Sequence, residues 1–206
     1  FYVHIPYCIK RCGYCDFNTY TPNELQDGAT LEIVSNDYID AVLRELEAAT
    51  TDTVPTIFFG GGTPSLLPAH DLGRVIAAIK ARNGVTDNCE ITLEANPDSV
   101  TAEKLQQYIE VGFNRISFGM QSAMPHVLAV LDRTHDPANV EKAITMARAA
   151  GFTSISVDLI YGTPGESLAD WQETVTAALA LDIDHISAYA LIVETGTKLA
   201  AQIKRG

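Results

Sequence analysis

The chain has 206 residues, 47% of them hydrophobic, and a formal net charge of −12. That length and apolar share predict one globular domain with a sizeable core. The acidic balance argues against non-specific nucleic-acid binding, which needs clusters of Lys and Arg, and no apolar run reaches the roughly 18 residues of a membrane span.

Phe1 to Ile5 read as a short apolar strand already under way at the first residue, and the last residues stop inside a helical run. Residues 1–206 are therefore expected to be one core domain of a longer protein whose carboxy-terminal region lies outside the chain. Pro6 and Gly13 bracket a loop, and residues 16–34 read as a polar, extended stretch. From Ser35 a helix is predicted, with Tyr38, Ile39, Val42, Leu43 and Leu46 on one face and Ser35-Asn36-Asp37 as caps. Thr56 to Phe59 is a buried strand running into Gly60-Gly61-Gly62-Thr63-Pro64. Pro68 opens a helix that Asn83-Gly84 ends. Cys89 to Ala95 is the next strand, Thr101 to Val111 a helix, and Phe113 to Phe118 a strand ended by Gly119-Met120-Gln121-Ser122. A helical region broken at Asp136-Pro137 reaches Ala150. A strand over Phe152 to Leu159, a turn from Ile160, a helix over Leu168 to Leu181 and a strand over His185 to Leu191 follow, and a last helix starts near Thr197.

Strand and helix thus alternate about six times through short loops, the pattern of a parallel sheet with right-handed crossovers. The sheet can stay open and doubly wound or curl into a barrel. In both, function belongs at the carboxyl ends of the strands, where each unusual motif falls.

The motif with the clearest chemistry is Cys8-Ile9-Lys10-Arg11-Cys12-Gly13-Tyr14-Cys15, in a chain with one further cysteine, Cys89. Three thiolates on a short loop suit an iron–sulfur cluster and leave one iron of a four-iron cubane without a protein ligand. Zinc is the rival reading, but it wants four ligands and no second cysteine pair follows. A disulfide reading fails on the odd count and the lack of any sign of secretion, and free thiolates suit a reducing, cytoplasmic setting. Cys89, opening a strand, reads as a buried apolar residue, His4 as a hydrogen-bonded strand histidine and Trp171 as core.

Cys-x3-Cys-x2-Cys resembles the cluster motif of the radical S-adenosylmethionine (SAM) superfamily. With Tyr2-Val3-His4-Ile5-Pro6-Tyr7 before it and Asp16-Phe17-Asn18 after it, the chain is similar to the coproporphyrinogen-oxidase-like branch, most of all to the HemW-type haem chaperones. The resemblance implies an α/β fold, a partial (β/α)6 barrel of TIM type. It also implies a [4Fe–4S] cluster on Cys8, Cys12 and Cys15, SAM as cofactor, and haem as a further ligand. Gly60-Gly61-Gly62-Thr63 is by itself most often a tight turn. In the resemblance Gly61, Gly62 and Thr63 carry the motif whose backbone receives the SAM amino group. Glu94, Gln121, Arg133 and Asp158 carry over as SAM contacts, and Tyr2 and Tyr14 as residues around the cluster. Read alone, the two carboxylates are solvated loop residues or caps, Arg133 a surface arginine, and the tyrosines core filler.

The resemblance splits on function. The oxidases use the cluster and SAM to make a 5′-deoxyadenosyl radical that starts propionate decarboxylation, and carry a further cysteine two residues after the motif. Phe17 stands there, as in the chaperones. The expectation is a haem chaperone with haem or a porphyrin as ligand and a haem-acceptor protein as partner. The oxidase is the alternative.

Overall fold

The computed structural model describes residues 1–25, 31–49, 52–133 and 135–205, the side chains of 31–34 excepted. Among them six strands form one sheet: β1 (Tyr2–Ile5), β2 (Val54–Gly61), β3 (Val85–Ala95), β4 (Arg115–Gln121), β5 (Ser154–Tyr161) and β6 (His185–Ala190). Between and after them run α1 (Leu31–Ala48), α2 (Ala69–Asn83), α3 (Ala102–Glu110), α4 (Pro125–Val130), α5 (Pro137–Ala150), α6 (Leu168–Leu179) and α7 (Lys198–Arg205).

Every neighbouring pair is parallel, and the spatial order is the sequence order, β1 to β6. A doubly wound sheet reverses its order at a switch point; this one does not, so its crossovers all fall on one face and the sheet curls as an open part of a barrel.

Local chemistry sets the helix ends. The Asp136 side chain accepts from the Ala138 amide ahead of α5, and Gly151 closes that helix at φ 108°. Ser167 and Asp170 form a capping box on α6. Thr101 caps α3.

The strands alternate by face. Val3, Ile5, Ile57, Phe59, Leu93, Ile116, Phe118, Ile155 and Val157 are buried towards the helices. Register-paired residues share a face, and on the other, concave face Phe58 pairs with Thr92, Thr92 with Arg115, Glu94 with Ser117, Ser117 with Ser156, and Gly119 with Asp158. The concave face is thus largely polar, unlike the packed interior of a complete eight-stranded barrel.

Several boundaries differ from expectation. The first helix begins at Leu31, so Ser35 is a fully buried residue inside α1 rather than its cap. Part of the expected 16–34 loop, 26–30, lies outside the described residues. The third strand starts at Val85, with an irregular register against β2. The fourth and fifth strands begin later and run further than expected, to Gln121 and Tyr161. Phe113 precedes β4 and is instead an aromatic plug, its ring 5.1 Å from Phe59 and 5.8 Å from Tyr108. The strand differences share a cause: pairing with a neighbouring strand, or packing on one, overrode local propensity. Trp171 is only partly buried, against the core and 5.3 Å from the Tyr161 ring.

Candidate functional site

The loop after β1 is closed on itself. The Tyr20 amide donates to the Pro6 carbonyl at 2.6 Å and the Cys8 amide to the Tyr20 carbonyl at 3.0 Å. The Cys15 amide turns back on the Cys12 carbonyl at 3.1 Å. Three further ties fix where the loop sits. Thr63 donates from its amide to the Tyr7 carbonyl at 2.7 Å and from its hydroxyl to Cys8 Sγ at 3.8 Å. The Gly13 carbonyl accepts from the Leu199 amide at 2.8 Å. Asp132 pairs with Lys10 of the loop at 2.7 Å and with Lys198 of α7 at 2.5 Å.

The glycine run that ends β2 is more than a turn. The Gly62 amide donates to the Ile5 carbonyl at 2.7 Å, and a Cβ there would meet the Tyr7 carbonyl at 2.6 Å. Gly61 has φ 108°, and a Cβ on it would enter the His4 ring, so neither position takes a side chain without moving β1. The His4 ring itself is hydrogen-bonded at both nitrogens, to the Tyr2 hydroxyl at 3.0 Å and the Asn18 carbonyl at 2.8 Å.

These loops and the strand ends enclose a cavity of about 630 Å³, in the size range of small-molecule sites. Cys8, Cys12 and Cys15 line it, as do Tyr14, Gly61, Gly62, Thr63, Glu94, Gln121, Arg133 and Asp158. Of the site residues expected from the sequence only Tyr2 does not. Its exposed ring stacks on Phe58; partial burial of the hydroxyl raises its pKa, and the Glu94 charge adds to the rise. Phe17 also lines the cavity, with 61% of its surface exposed. Cys89 is buried away from the site.

The cavity wall carries more carboxylates than cations: Asp16, Glu94, Asp98, Asp132, Asp158 and Glu194 against Lys10 and Arg133. Burial pushes the Cys8 and Cys15 thiols up; the Thr63 hydroxyl opposes this at Cys8, and the neighbouring thiols add to it at both. Arg133 reaches Cys12 Sγ at 3.5 Å and the Gly119 carbonyl at 2.8 Å, and its Nε faces His135 Nδ1 at 3.4 Å. Gly119 makes room for this, since a Cβ would stand 3.1 Å from the guanidinium. Burial and the adjacent Arg133 charge push His135 down to about 4. Burial pushes Glu94 up to about 7, against the Gly61 amide that donates to it at 3.0 Å and with the Asp158 charge adding. Asp158 is also raised by burial, and hydrogen bonds from Ser117 and Ser187 oppose the rise. Gln121, buried at φ 64°, and Asp132, at φ 60°, are the non-glycine residues in the left-handed region among those described, and both line the cavity. Backbone strain of about 1–3 kcal/mol persists where the surroundings hold it, commonly at functional sites.

Asp132 was not foreseen from the sequence, because its partners lie more than 60 residues away on both sides. The polar wall of Arg115, Ser117 and Ser156 was also missed. Its signal was present: Arg115-Ile116-Ser117 and Ser154-Ile155-Ser156-Val157-Asp158 alternate polar and apolar with period two.

The model of the family described as the radical SAM superfamily matches residues 2–178. The chain belongs to the radical SAM superfamily. It is 47% identical over 210 residues to the haem chaperone HemW of Mycobacterium tuberculosis H37Rv, covering 100% of this chain and 52% of that protein. It is 36% identical to Escherichia coli HemW, over 95% of this chain and 51% of that one. A mouse mitochondrial protein named radical S-adenosyl methionine domain-containing protein 1 is 37% identical, over 100% and 46%. The chain therefore spans about half the length of the curated relatives it matches. Among solved structures, Escherichia coli coproporphyrinogen III oxidase (HemN) superposes with a TM-score of 0.84 at 28% identity, over 98% of this chain and 46% of that one. The likeness agrees with the expected partial (β/α)6 barrel. Among the described residues no helix is long and apolar enough to cross a membrane.

Membership implies a [4Fe–4S] cluster and SAM. The donor set fits: three thiols face one cavity, and the fourth cysteine is remote from it. Among the described residues no three His, Cys, Asp or Glu side chains approach closely enough to hold a single metal ion. Thiolates on one zinc ion, at about 2.3 Å each, crowd together, whereas those of a cubane meet different irons and stand further apart.

Proposed function

We propose that this chain is the radical SAM core domain, over 1–206, of a longer haem chaperone that binds haem and passes it to an acceptor protein. The observation that carries the reading is 47% identity over the whole chain to a protein named as a haem chaperone. Phe17 two residues after the cysteine motif supports it. So does the exposed apolar rim of the cavity, Ile9, Phe17, Tyr189 and Ile192, which suits a large flat apolar ligand.

In this reading Cys8, Cys12 and Cys15 hold the cluster. Tyr14 shields it, Tyr2 stands outside the cavity, and Gly61, Gly62, Thr63, Glu94, Gln121, Arg133 and Asp158 hold SAM. When bound, a reduced cluster and SAM would together supply one-electron cleavage of a sulfonium bond. The chain's own part is to bind and orient. Arg133, held by the Gly119 carbonyl and His135, presents a guanidinium to a carboxylate. Glu94 and Asp158 offer acceptors to hydroxyl and ammonium groups. The free, partly exposed cysteines of such a protein belong in a reducing, cytoplasm-like compartment.

The likeness to HemN favours a second reading, an oxygen-independent coproporphyrinogen III oxidase. One experiment separates the two. The full-length protein is reconstituted anaerobically with iron and sulfide, given SAM and reductant, and divided between haem and coproporphyrinogen III. Stoichiometric haem binding without decarboxylation is the expected result. Decarboxylation without stable haem binding overturns the chaperone reading in favour of the oxidase.

A further inference from the structure

The polar wall of the barrel contains a hydrogen-bond chain in which every donor points the same way. Arg115 Nη2 donates to Ser156 Oγ at 3.0 Å, Ser156 Oγ donates to Ser117 Oγ at 2.7 Å, and Ser117 Oγ donates to both oxygens of Asp158, at 3.1 and 3.2 Å. Ser156 is fully buried and Ser117 almost so. Strand register builds the chain: Ser117 lies beside Ser156, Arg115 is one pleat below, and Asp158 sits opposite Gly119 one pleat above. The far end is anchored too. Arg115 Nη1 donates to Thr92 Oγ1 at 3.3 Å and its Nε stands 3.9 Å from Glu90.

We propose that Arg115, Ser156 and Ser117 form a charge relay that holds the cavity carboxylate Asp158 ionised and oriented for its ligand. The three are positioning residues; none of them need touch SAM. The inference rests on the reading of Asp158 as a SAM contact. A guanidinium at one end and a carboxylate at the other polarise both hydroxyls in the same sense, and aligned donors strengthen one another in a low-dielectric wall. The device solves a specific problem. Glu94 and Asp158 are two mostly buried carboxylates, the Asp158 charge helps to raise Glu94, and both pKa values are raised mainly by burial. Arg115 acts on both charges, yet a guanidinium placed directly against Asp158 would occupy the acceptor sites the ligand needs. Two serines link the carboxylate to a guanidinium two layers below, polarised along the chain, and leave its cavity side open.

The groups facing Asp158 are Ser117 and Arg115 from β4, Ser187 and His185 from β6, and Glu94 from β3. A carboxylate that must be ionised to accept from its ligand binds above its pKa and releases as pH falls through it. Weakening the relay raises that pKa, so the midpoint of SAM binding against pH should move upward.

The test uses full-length, cluster-loaded protein, with SAM affinity measured calorimetrically across pH and cluster content followed by iron, sulfide and absorbance. Ser117→Ala is expected to weaken SAM about tenfold near neutral pH, as befits loss of one hydrogen bond to a charged group, and to raise the midpoint. Ser117→Thr, which keeps the hydroxyl, should restore both. Arg115→Met should also weaken binding, and adding it to Ser117→Ala should cost little more, since the link is already cut. Asp158→Asn is the control for the underlying reading. If Asp158→Asn weakens SAM while Ser117→Ala and Arg115→Met leave affinity and midpoint unchanged, the relay is wrong and the SAM contact stands. Strictly additive losses, or a Thr variant as poor as the Ala variant, also overturn the relay. If Asp158→Asn binds SAM as the parent does, the contact itself is wrong and the relay falls with it.

Discussion

Glu94→Gln should make the protein more stable while it weakens its ligand, and the gain should depend on pH. Burial holds the Glu94 carboxyl at about 7 in the folded state, against an ordinary value of 4.5. The unfolded chain releases the proton near 4.5, so between there and 7 folding has to keep a proton that the open chain gives up. Stability from this group is fully present below about pH 4.5 and is lost as pH rises through about 7. The gap of about 2.5 pH units, at about 1.4 kcal/mol each, makes about 3 kcal/mol above pH 7. Gln cannot ionise, and its side-chain oxygen can still accept from the Gly61 amide that Glu94 uses at 3.0 Å. Urea unfolding of the metal-free protein should therefore show parent and variant alike near the acid end, and the variant ahead by about 3 kcal/mol at about pH 8. Calorimetry on the cluster-loaded protein should show SAM bound less tightly by the variant at every pH where Glu94 is charged. A stability gain independent of pH, or none at about pH 8, would refute the argument that burial of this charge is what the fold pays.

Cys8→Ala, Cys12→Ala and Cys15→Ala should each prevent assembly of a full four-iron cluster, whereas Cys89→Ala should leave iron and sulfide content unchanged; the measurement is metal analysis after anaerobic reconstitution. Asp132→Asn removes two partly exposed ion pairs, with Lys10 and Lys198, and should change global stability by less than about 1 kcal/mol. Its effect should be local, a faster loss of the cluster to a chelator as the cysteine loop loosens, and high salt should reproduce part of that loss in the parent. Tyr108→Phe removes a buried hydroxyl that donates to the Ser65 and Leu67 carbonyls at 3.0 and 2.8 Å, just past the glycine run. It should lower unfolding stability by about 1–3 kcal/mol in denaturant titrations, since the one hydroxyl hydrogen that the two carbonyls share is lost.

The elements that were legible in the sequence were those whose signal is local. Hydrophobic periodicity announced α2 through Leu72, Val75, Ile76 and Ile79, which are all buried. Gly151 and Asp136-Pro137 marked the two ends of α5 because caps are decided by one or two residues. The three thiols stood out because eight residues of loop carry them. Boundaries failed where a neighbour decided them: β3 begins at Val85 because that residue pairs with Val54, and β4 continues to Gln121 because β5 is there to receive it.

By itself, then, the chain determined its alternation of strands and helices and the chemical types brought to the strand ends. Patterning and ligand identity are written in adjacent residues. Only the tertiary structure decided which of those residues meet. The order of the strands turned one polar stripe per strand into a continuous wall, so that Arg115, Ser156, Ser117 and Asp158, more than 40 positions apart at their extremes, form one chain of hydrogen bonds. It also set Asp132 between two lysines from opposite ends of the sequence, and buried Glu94 deeply enough to change its charge near neutral pH. Burial, register and long-range pairing are properties of the folded neighbourhood, and no window of sequence contains them.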